Sequence, residues 1–236
     1  MSACSERTLS APAAVSLECC RPGWNTPGMS LTIVGAGLGR TGTSSLQQAL
    51  GIVLNGPVFH MGEVFANLDS VSTWHAAVHG APTDWDSLLA GYRATLDWPA
   101  VTCWRNIAAA NPEALVLLST RSGGAEEWWK SVSTTLFAVL HRDFPPDLQP
   151  MRALNEAMFE RFTPHWRDRD AAMAAYNAHN AAVRAEVPSD RLIDWQPRDG
   201  WEPICSALGV PVPDVAFPHA NTSEDFQKSV DARLNR

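Results

Sequence analysis

A glycine-rich segment with an embedded arginine is the part of this sequence whose residue types and spacing most directly indicate chemistry. Residues 35–44 read Gly-Ala-Gly-Leu-Gly-Arg-Thr-Gly-Thr-Ser. The apolar run at residues 30–36 predicts a strand that leads into them, and the amphipathic stretch at residues 42–50 predicts a helix that follows. At such a turn, backbone N–H groups and the positive end of the helix favour an anion. The segment therefore predicts a phosphate-binding loop.

Three known patterns compete for this loop. The spacing of three glycines over residues 37–42 satisfies the dinucleotide fingerprint, but no strand ends in an acidic residue about 20 positions later to hold a ribose. The nucleoside-triphosphatase pattern is nearly satisfied, except that Thr43 stands where that pattern requires lysine. The third pattern has a basic residue, a hydroxyl, a glycine and a second hydroxyl in that order, as Arg40-Thr41-Gly42-Thr43 do.

In this third pattern the sequence resembles the P-loop-like sulfotransferases that use 3′-phosphoadenosine 5′-phosphosulfate (PAPS). The resemblance is strongest to a bacterial and eukaryotic branch whose opening reads Gly-Leu-Pro-Arg-Thr-Gly-Thr, although Gly39 stands where that branch often has proline. It extends through nearly all of residues 29–226, with similar short motifs at 56–61, 97–100, 117–121 and 128–131. The resemblance implies transfer of a sulfuryl group from PAPS to a hydroxyl or amine of a small-molecule acceptor, with adenosine 3′,5′-bisphosphate as the product.

The same resemblance assigns the two ends of the donor to separate groups of residues. Residues expected to hold the 5′-phosphosulfate are Gly39, Arg40, Thr41, Gly42, Thr43 and Ser44. Arg121, at the end of a predicted strand, and Ser131, on the next helix, are expected to hold the 3′-phosphate. Such a pair flanks the crevice where open α/β sheets bind ligands. Their spacing is longer than is usual in the family, because Ser122-Gly123-Gly124 lies between them.

The residues around the loop offer two candidates for a catalytic base. Sulfuryl transfer needs a base for the acceptor's proton and positive charge beside the leaving phosphate, and Arg40 supplies that charge. Asp97 lies in the region from which better-known sulfotransferases supply a catalytic histidine. It also lies two residues before Pro99, where an aspartate commonly caps a helix. His60 matches a His-Met pair of the branch, and its alternative is a packing role. The candidate catalytic residues are Asp97, Arg40 and His60.

Alternating strand and helix patterns predict the elements that position these residues. Strands are predicted at residues 30–36, 114–120 and 191–195, and helices at 101–111, 125 to about 140, 147–162, 168–187 and 200–208, with short helices over 58–92. This alternation predicts an α/β fold with a small parallel sheet and helices on both faces, and the resemblance implies a three-layer P-loop-like sandwich. Residues 1–28 predict a loose N-terminal extension, and residues 29–236 a sulfotransferase-like α/β domain.

Composition limits the partners of this chain. Its 236 residues carry 18 Lys and Arg against 25 Asp and Glu, and a net charge of −7 argues against a general nucleic-acid binder. No apolar run reaches the roughly 18 to 20 residues of a membrane helix, so no membrane partner is expected and the protein is predicted to be cytoplasmic. Five cysteines without a CxxC pair, and histidines without ligand spacing, predict no metal.

Two other functions stay open at the level of the sequence. A nucleotide-dependent phosphotransferase is disfavoured by Thr43 in place of lysine. A non-catalytic nucleotide-binding protein of the same fold is the second alternative, because the spacing after Arg121 departs from the family pattern. The sequence indicates neither the acceptor nor an oligomeric state.

Overall fold

The computed structural model describes residues 31–220 and 223–234. The N-terminal extension predicted for residues 1–28 lies outside the described residues. The strands are β1 (Ile33–Gly35), β2 (Val58–Phe59), β3 (Ala94–Thr95), β4 (Leu115–Ser119) and β5 (Leu192–Trp195). The helices are α1 (Thr43–Leu54), α2 (Met61–Ala66), α3 (Val71–Val78), α4 (Trp85–Leu88), α5 (Trp104–Ala110), α6 (Gly124–Ser133), α7 (Leu136–Val139), α8 (Gln149–Phe162), α9 (Arg169–Glu186), α10 (Glu202–Leu208) and α11 (Ser223–Leu234).

The five strands form one sheet, in the order β2-β3-β1-β4-β5, in which every neighbouring pair is parallel. Strand β1 lies in the middle, with Ile33 opposite Ala94 of β3 on one side and Leu115 of β4 on the other. The chain after β1 crosses to β2 and β3 on one side, and then returns to β4 and β5 on the other. The carboxyl ends of parallel strands beside such a reversal form a binding crevice in open α/β sheets.

Alternate residues of the strands face two separate apolar layers, as the period of a strand requires. On one face, Val34 and Val116 join a large cluster that contains most of the buried tryptophans, against α3, α5, α6, α8 and α9. On the other face, Ile33 and Leu117 pack with residues of α1 and α10. The architecture is therefore the three-layer α/β sandwich with a parallel sheet that was predicted. Within the described ranges, no helix has both the length and the apolar composition needed to cross a bilayer.

The structure corrects three predictions about the elements. Strands β2 and β3 were not predicted, since two residues each are too few for a periodic signal. The helix predicted from 125 to about 140 is two helices, α6 and α7. It breaks where the hydroxyls of Thr134 and Thr135 donate to the carbonyls of Lys130 and Ser131, because such bonds compete with helix continuation. No element was predicted at α11.

Candidate active site

Every strand of the sheet ends next to a residue that lines one cavity. The glycine-rich loop follows β1, His60 directly follows β2, and Asp97 lies two residues after β3. Arg121 lies two residues after β4, and Pro197 two residues after β5. The cavity has a volume of about 580 Å³ and is lined by residues from all five of these segments. Parallel strands thus bring candidate residues that are far apart in sequence to one edge of the sheet.

The loop between β1 and α1 has the geometry of an anion site. Gly42 is the N-cap of α1 and has a φ of 96°, in the left-handed region that favours glycine. A glycine offers no side chain to cap the helix, and the first turn of α1 contains no acidic residue. Thr43 and Ser44, at the start of this turn, line the cavity. The N–H groups and the positive end of the helix are thereby directed at the cavity rather than at an internal carboxylate.

Side chains from other elements fix the backbone of the loop. The indole N–H of Trp128 donates to the carbonyl of Gly39 at 3.1 Å, and Nε of Arg121 donates to the carbonyl of Arg40 at 2.5 Å. The hydroxyl of Thr41 is fully buried, donates to a carbonyl of the loop at 2.6 Å, and bonds the hydroxyl of Ser119. The side chain of Thr41 therefore holds the loop together and is not available to a ligand.

Arg40 brings a buried positive charge to the cavity. The residue is only 9% exposed, and its Nε donates to the hydroxyl of Ser131 at 3.1 Å. Burial lowers the pKa of the Arg40 guanidinium, while the charge of Asp97 raises it and that of Arg121 lowers it further. Its φ of 70° turns the side chain back over the loop. Phe226 of α11 lies against the guanidinium, with its ring centroid 5.3 Å from Cζ.

The two candidate bases lie against each other. Nε2 of His60 is 3.1 Å from Oδ2 of Asp97 and 3.1 Å from the hydroxyl of Thr43. Both residues are more than nine-tenths buried. Nδ1 of His60 accepts a long hydrogen bond, 3.5 Å, from the backbone N–H of Gly62 at the start of α2. The carboxylate of Asp97 bonds His60, and the turn that begins at Ala100 has no side-chain cap, so the helix-cap interpretation of Asp97 does not apply.

Close packing around Gly39 holds Asp97 in place. A Cβ added to Gly39 would lie 2.6 Å from Oδ1 of Asp97 and 2.6 Å from Nε1 of Trp98, closer than real Cβ contacts come. Among the described residues, neither of these two buried atoms has a hydrogen-bond partner. Asp97 itself has a φ of 63°. The glycine found where related sequences often have proline is therefore a requirement of this packing.

Arg121 and Ser131, the two residues expected at the 3′-phosphate, lie on either side of Arg40. The hydroxyl of Ser131 accepts a hydrogen bond from the side chain of Arg40. The side chain of Arg121 donates to the backbone carbonyl of Arg40. Nη1 of Arg121 also forms an ion pair with Glu127 at 3.0 Å. Arg40, Arg121 and Ser131 are thus brought together, although the guanidinium of Arg121 already contacts the carbonyl of Arg40 and the carboxylate of Glu127.

Several residues that line the cavity were not found from the sequence. They come from α2, α7, α8, the end of β5, the segment between α10 and α11, and α11, and they include Met61, Phe65, Leu136, Asn155, Phe159, Trp195, Phe217 and Phe226. Most are apolar residues on amphipathic elements, where a core position and a cavity wall give the same pattern. Phe226 lies on a helix that the sequence did not indicate.

Comparison with known proteins identifies the family of this chain. A family model described as a sulfotransferase domain matches residues 32–226. A relative from Aspergillus versicolor, "Ava biosynthesis cluster protein M", is 33% identical over 219 residues, which cover 80% of this chain and 80% of the relative. The match includes the glycine-rich loop, the His60–Asp97 pair and the Arg121–Ser131 region, and it ends at Phe226 over Arg40. This chain belongs to the sulfotransferase family.

Proposed function

We propose that this protein transfers a sulfuryl group from PAPS to a hydroxyl or amine of a small-molecule acceptor. The observation that carries the proposal is the placement of the His60–Asp97 pair on the same cavity as Arg40 and the uncapped N-terminus of α1. A basic group and an anion-binding loop on one cavity are what a transfer between an anionic donor and a protonated acceptor requires.

The donor would be held by the loop and by the two groups beside it. The backbone N–H groups of residues 41–44 and the guanidinium of Arg40 would bind the 5′-phosphosulfate, and Arg121 and Ser131 the 3′-phosphate. The fit is supported by two facts about α1: its N-terminus has no side-chain cap, and its first turn contains no acidic residue. When bound, the donor supplies a sulfuryl group whose bond to a phosphate oxygen breaks as the acceptor's oxygen or nitrogen bonds to sulfur.

Asp97 is proposed as the base and His60 as the residue that positions it. Because Nδ1 of His60 accepts from the N–H of Gly62, the neutral ring carries its proton on Nε2, which lies 3.1 Å from both the hydroxyl of Thr43 and Oδ2 of Asp97. A nitrogen in this state has no lone pair with which to take another proton. The carboxylate keeps unused acceptor capacity, since an ionised carboxylate oxygen has two lone pairs and, within the described ranges, Oδ2 lies beside a single N–H, that of His60. Asp97 would take the proton, and Arg40 would balance the charge that develops on the leaving phosphate.

The wall opposite the loop supports a small organic acceptor. Met61, Phe65, Leu136 and Phe159 contribute apolar surface to the cavity, and Asn155 contributes an amide. Such a surface fits a small apolar molecule, whereas an anionic polymer would need basic residues along the cavity. The acceptor's reacting group would lie at Asp97, where this wall meets the phosphate loop.

The first test is the replacement of Arg40. Arg40→Ala is expected to weaken binding of adenosine 3′,5′-bisphosphate by about 10- to 150-fold, because a charge-assisted contact to a phosphate contributes roughly 1.5 to 3 kcal/mol. Arg40→Lys is expected to retain part of this affinity, since the charge stays and the planar fork is lost. Calorimetry measures both, and transfer of radiolabelled sulfate from PAPS to a panel of phenols, alcohols and amines measures turnover.

Arg184→Ala is the matched control, because Arg184 forms a half-exposed ion pair with Asp194 and does not line the cavity. It is expected to leave nucleotide affinity unchanged. Wild-type affinity in Arg40→Ala would remove the loop from donor binding. Tight nucleotide binding without transfer to any acceptor of the panel would instead favour the non-catalytic nucleotide-binding protein.

A further inference from the structure

Arg121 shares its guanidinium with an internal carboxylate. One Nη1 to Oε1 contact of 3.0 Å joins Arg121 to Glu127 on the first turns of α6, while Nε of Arg121 is bound to the carbonyl of Arg40. The side chain of Arg121 is 24% exposed and that of Glu127 is 44% exposed. Arg121 lines the cavity and Glu127 contacts its guanidinium at 3.0 Å, so an anion bound to Arg121 is close to the carboxylate as well.

The segment that departs from the family spacing is what holds Glu127 in this position. The backbone N–H of Gly123 donates to Oε2 of Glu127 at 2.8 Å. A Cβ on Gly123 would lie 2.9 Å from that same oxygen and 3.0 Å from Cβ of Glu127, so the backbone can approach only because residue 123 is glycine. Gly124 has a φ of 65°, which turns the chain into α6. The Ser122–Gly124 segment therefore holds Oε2 of Glu127 by a hydrogen bond and leaves Oε1 in contact with Arg121.

We propose that Glu127 sets the donor specificity of this protein by competing with a 3′-phosphate for Arg121. The inference rests on the proposed function, because it concerns the second phosphate of a nucleotide bisphosphate at the same site. A phosphate dianion beside Arg121 is repelled by the carboxylate, while a 5′-monophosphate bound only at the loop is not exposed to it at close range. Glu127 thereby reduces the difference in affinity by which this protein prefers the bisphosphate to the monophosphate.

The size of the effect follows from the exposure of the pair. Both side chains are in contact with solvent, so water and salt screen the repulsion between Glu127 and a 3′-phosphate. The repulsion therefore amounts to roughly a tenfold change in affinity for the bisphosphate. Arg121→Ala would be a poor probe of this effect, because the same guanidinium also supports the carbonyl of Arg40. Removal of the carboxylate alone isolates it.

The experiment compares Glu127→Gln with Glu126→Gln by calorimetry. Glu126 is the matched control, since it is the preceding residue on the first turn of α6, carries the same charge, and pairs with Arg169 on the surface. The quantity measured is the Kd of adenosine 5′-phosphate divided by the Kd of adenosine 3′,5′-bisphosphate. We expect this ratio to rise about tenfold in Glu127→Gln, and to stay within about twofold of wild type in Glu126→Gln.

A second variant, Glu127→Ala, removes the carboxylate without adding an amide and is expected to raise the ratio in the same direction. An unchanged ratio in both Glu127 variants, with both nucleotides still bound, would overturn the role of Glu127 and leave the proposed function intact. An equal rise in Glu126→Gln would also overturn it, because the effect would then belong to the net charge of the helix. Failure of the wild type to bind either nucleotide would refute the proposed function, and the role of Glu127 with it.

Discussion

Asp97→Asn separates the proposed proton transfer from every other role of this residue. Asn is the substitution of choice because Asp97 has a φ of 63°, a left-handed conformation that asparagine tolerates better than alanine. An amide keeps the shape but cannot take a proton, so we expect turnover to fall by about 10²- to 10⁴-fold. Turnover is measured at saturating donor and acceptor, and nucleotide affinity by calorimetry.

The structure also sets the expected change in nucleotide affinity. The charge of Asp97 raises the pKa of Arg40, which indicates that the two groups interact electrostatically across the donor site. Removal of this negative charge leaves the site more positive. Affinity for adenosine 3′,5′-bisphosphate is therefore expected to stay equal or to tighten by up to about tenfold.

The stability cost follows from the hydrogen bonds of the pair. In Asp97→Asn the amide oxygen would accept from Nε2 of His60 in place of Oδ2, and the amide NH₂ would take the place of Oδ1. The indole N–H of Trp98 near Gly39 is itself a donor, so it cannot accept from this amide. One unsatisfied buried donor costs about 1 to 3 kcal/mol. Thermal unfolding is expected about 2 to 12 °C lower than in the wild type.

Two further variants make the result decisive. Asp168→Asn is the control for a capping aspartate, because Asp168 accepts from the N–H of Ala171 at the start of α9, and asparagine caps nearly as well. It is expected to change neither turnover nor nucleotide affinity. His60→Gln is expected to lower turnover less than Asp97→Asn does. Normal turnover in Asp97→Asn refutes the base assignment, and a larger loss in His60→Gln transfers that role to His60.

Two more predictions concern the packing around Gly39 and the titration of His179, which lies outside the candidate site. Gly39→Ala is expected to destabilise the fold by about 1 to 3 kcal/mol and to lower turnover more than nucleotide affinity, because the new methyl displaces Asp97. Gly51→Ala is the control in thermal unfolding and transfer assays, because its Cβ would have only an ordinary contact of 3.8 Å with the carbonyl oxygen of Gly56 and Gly51 does not line the cavity. Burial lowers the pKa of His179 from 6.5, so this residue stabilises the fold fully above about pH 6.5, and the stabilisation is lost as the pH falls through that value toward the lower folded pKa. Urea unfolding at about pH 7.5 and pH 5.5 should therefore show a larger loss for the wild type than for His179→Gln, which keeps an N–H for the carbonyl of Ala36, and equal losses would contradict the assignment.

The sequence predicted those parts of the site that are local. The glycine-rich loop and Arg40 were found because their spacing within one strand-to-helix turn specifies an anion site. Strands β4 and β5 were predicted because apolar runs of four or five residues are visible in a sequence. The α/β layering followed from the alternation of these patterns with helices.

The parts that depend on tertiary contacts were not predictable in this way. Whether His60 or Asp97 is the base was an open choice, and the structure places them 3.1 Å apart after β2 and β3, two strands too short to predict. Glu127 lies in the first turn of α6, where an acidic residue is common and signals no site, and only the fold of the Ser122–Gly124 segment brings it to Arg121. Such pairings depend on the register and turns of distant segments, which side-chain periodicity does not report.

The parallel sheet has a consequence for how the protein is made. Its central strand β1 precedes both of its partners in the chain by a long stretch, because β3 begins at Ala94 and β4 at Leu115, and the edge strand β5 follows only at Leu192. The cavity is lined by residues from Arg40 to Ser229, so a nascent chain cannot assemble it until Ser229 has left the ribosome. Until then the apolar strands lack their neighbours, and parallel pairing between distant segments is slow. Under the proposed function, nucleotide binding would therefore require all five strands to be in place, and fragments that stop before β5 are expected to expose the unpaired edge of β4 and to aggregate.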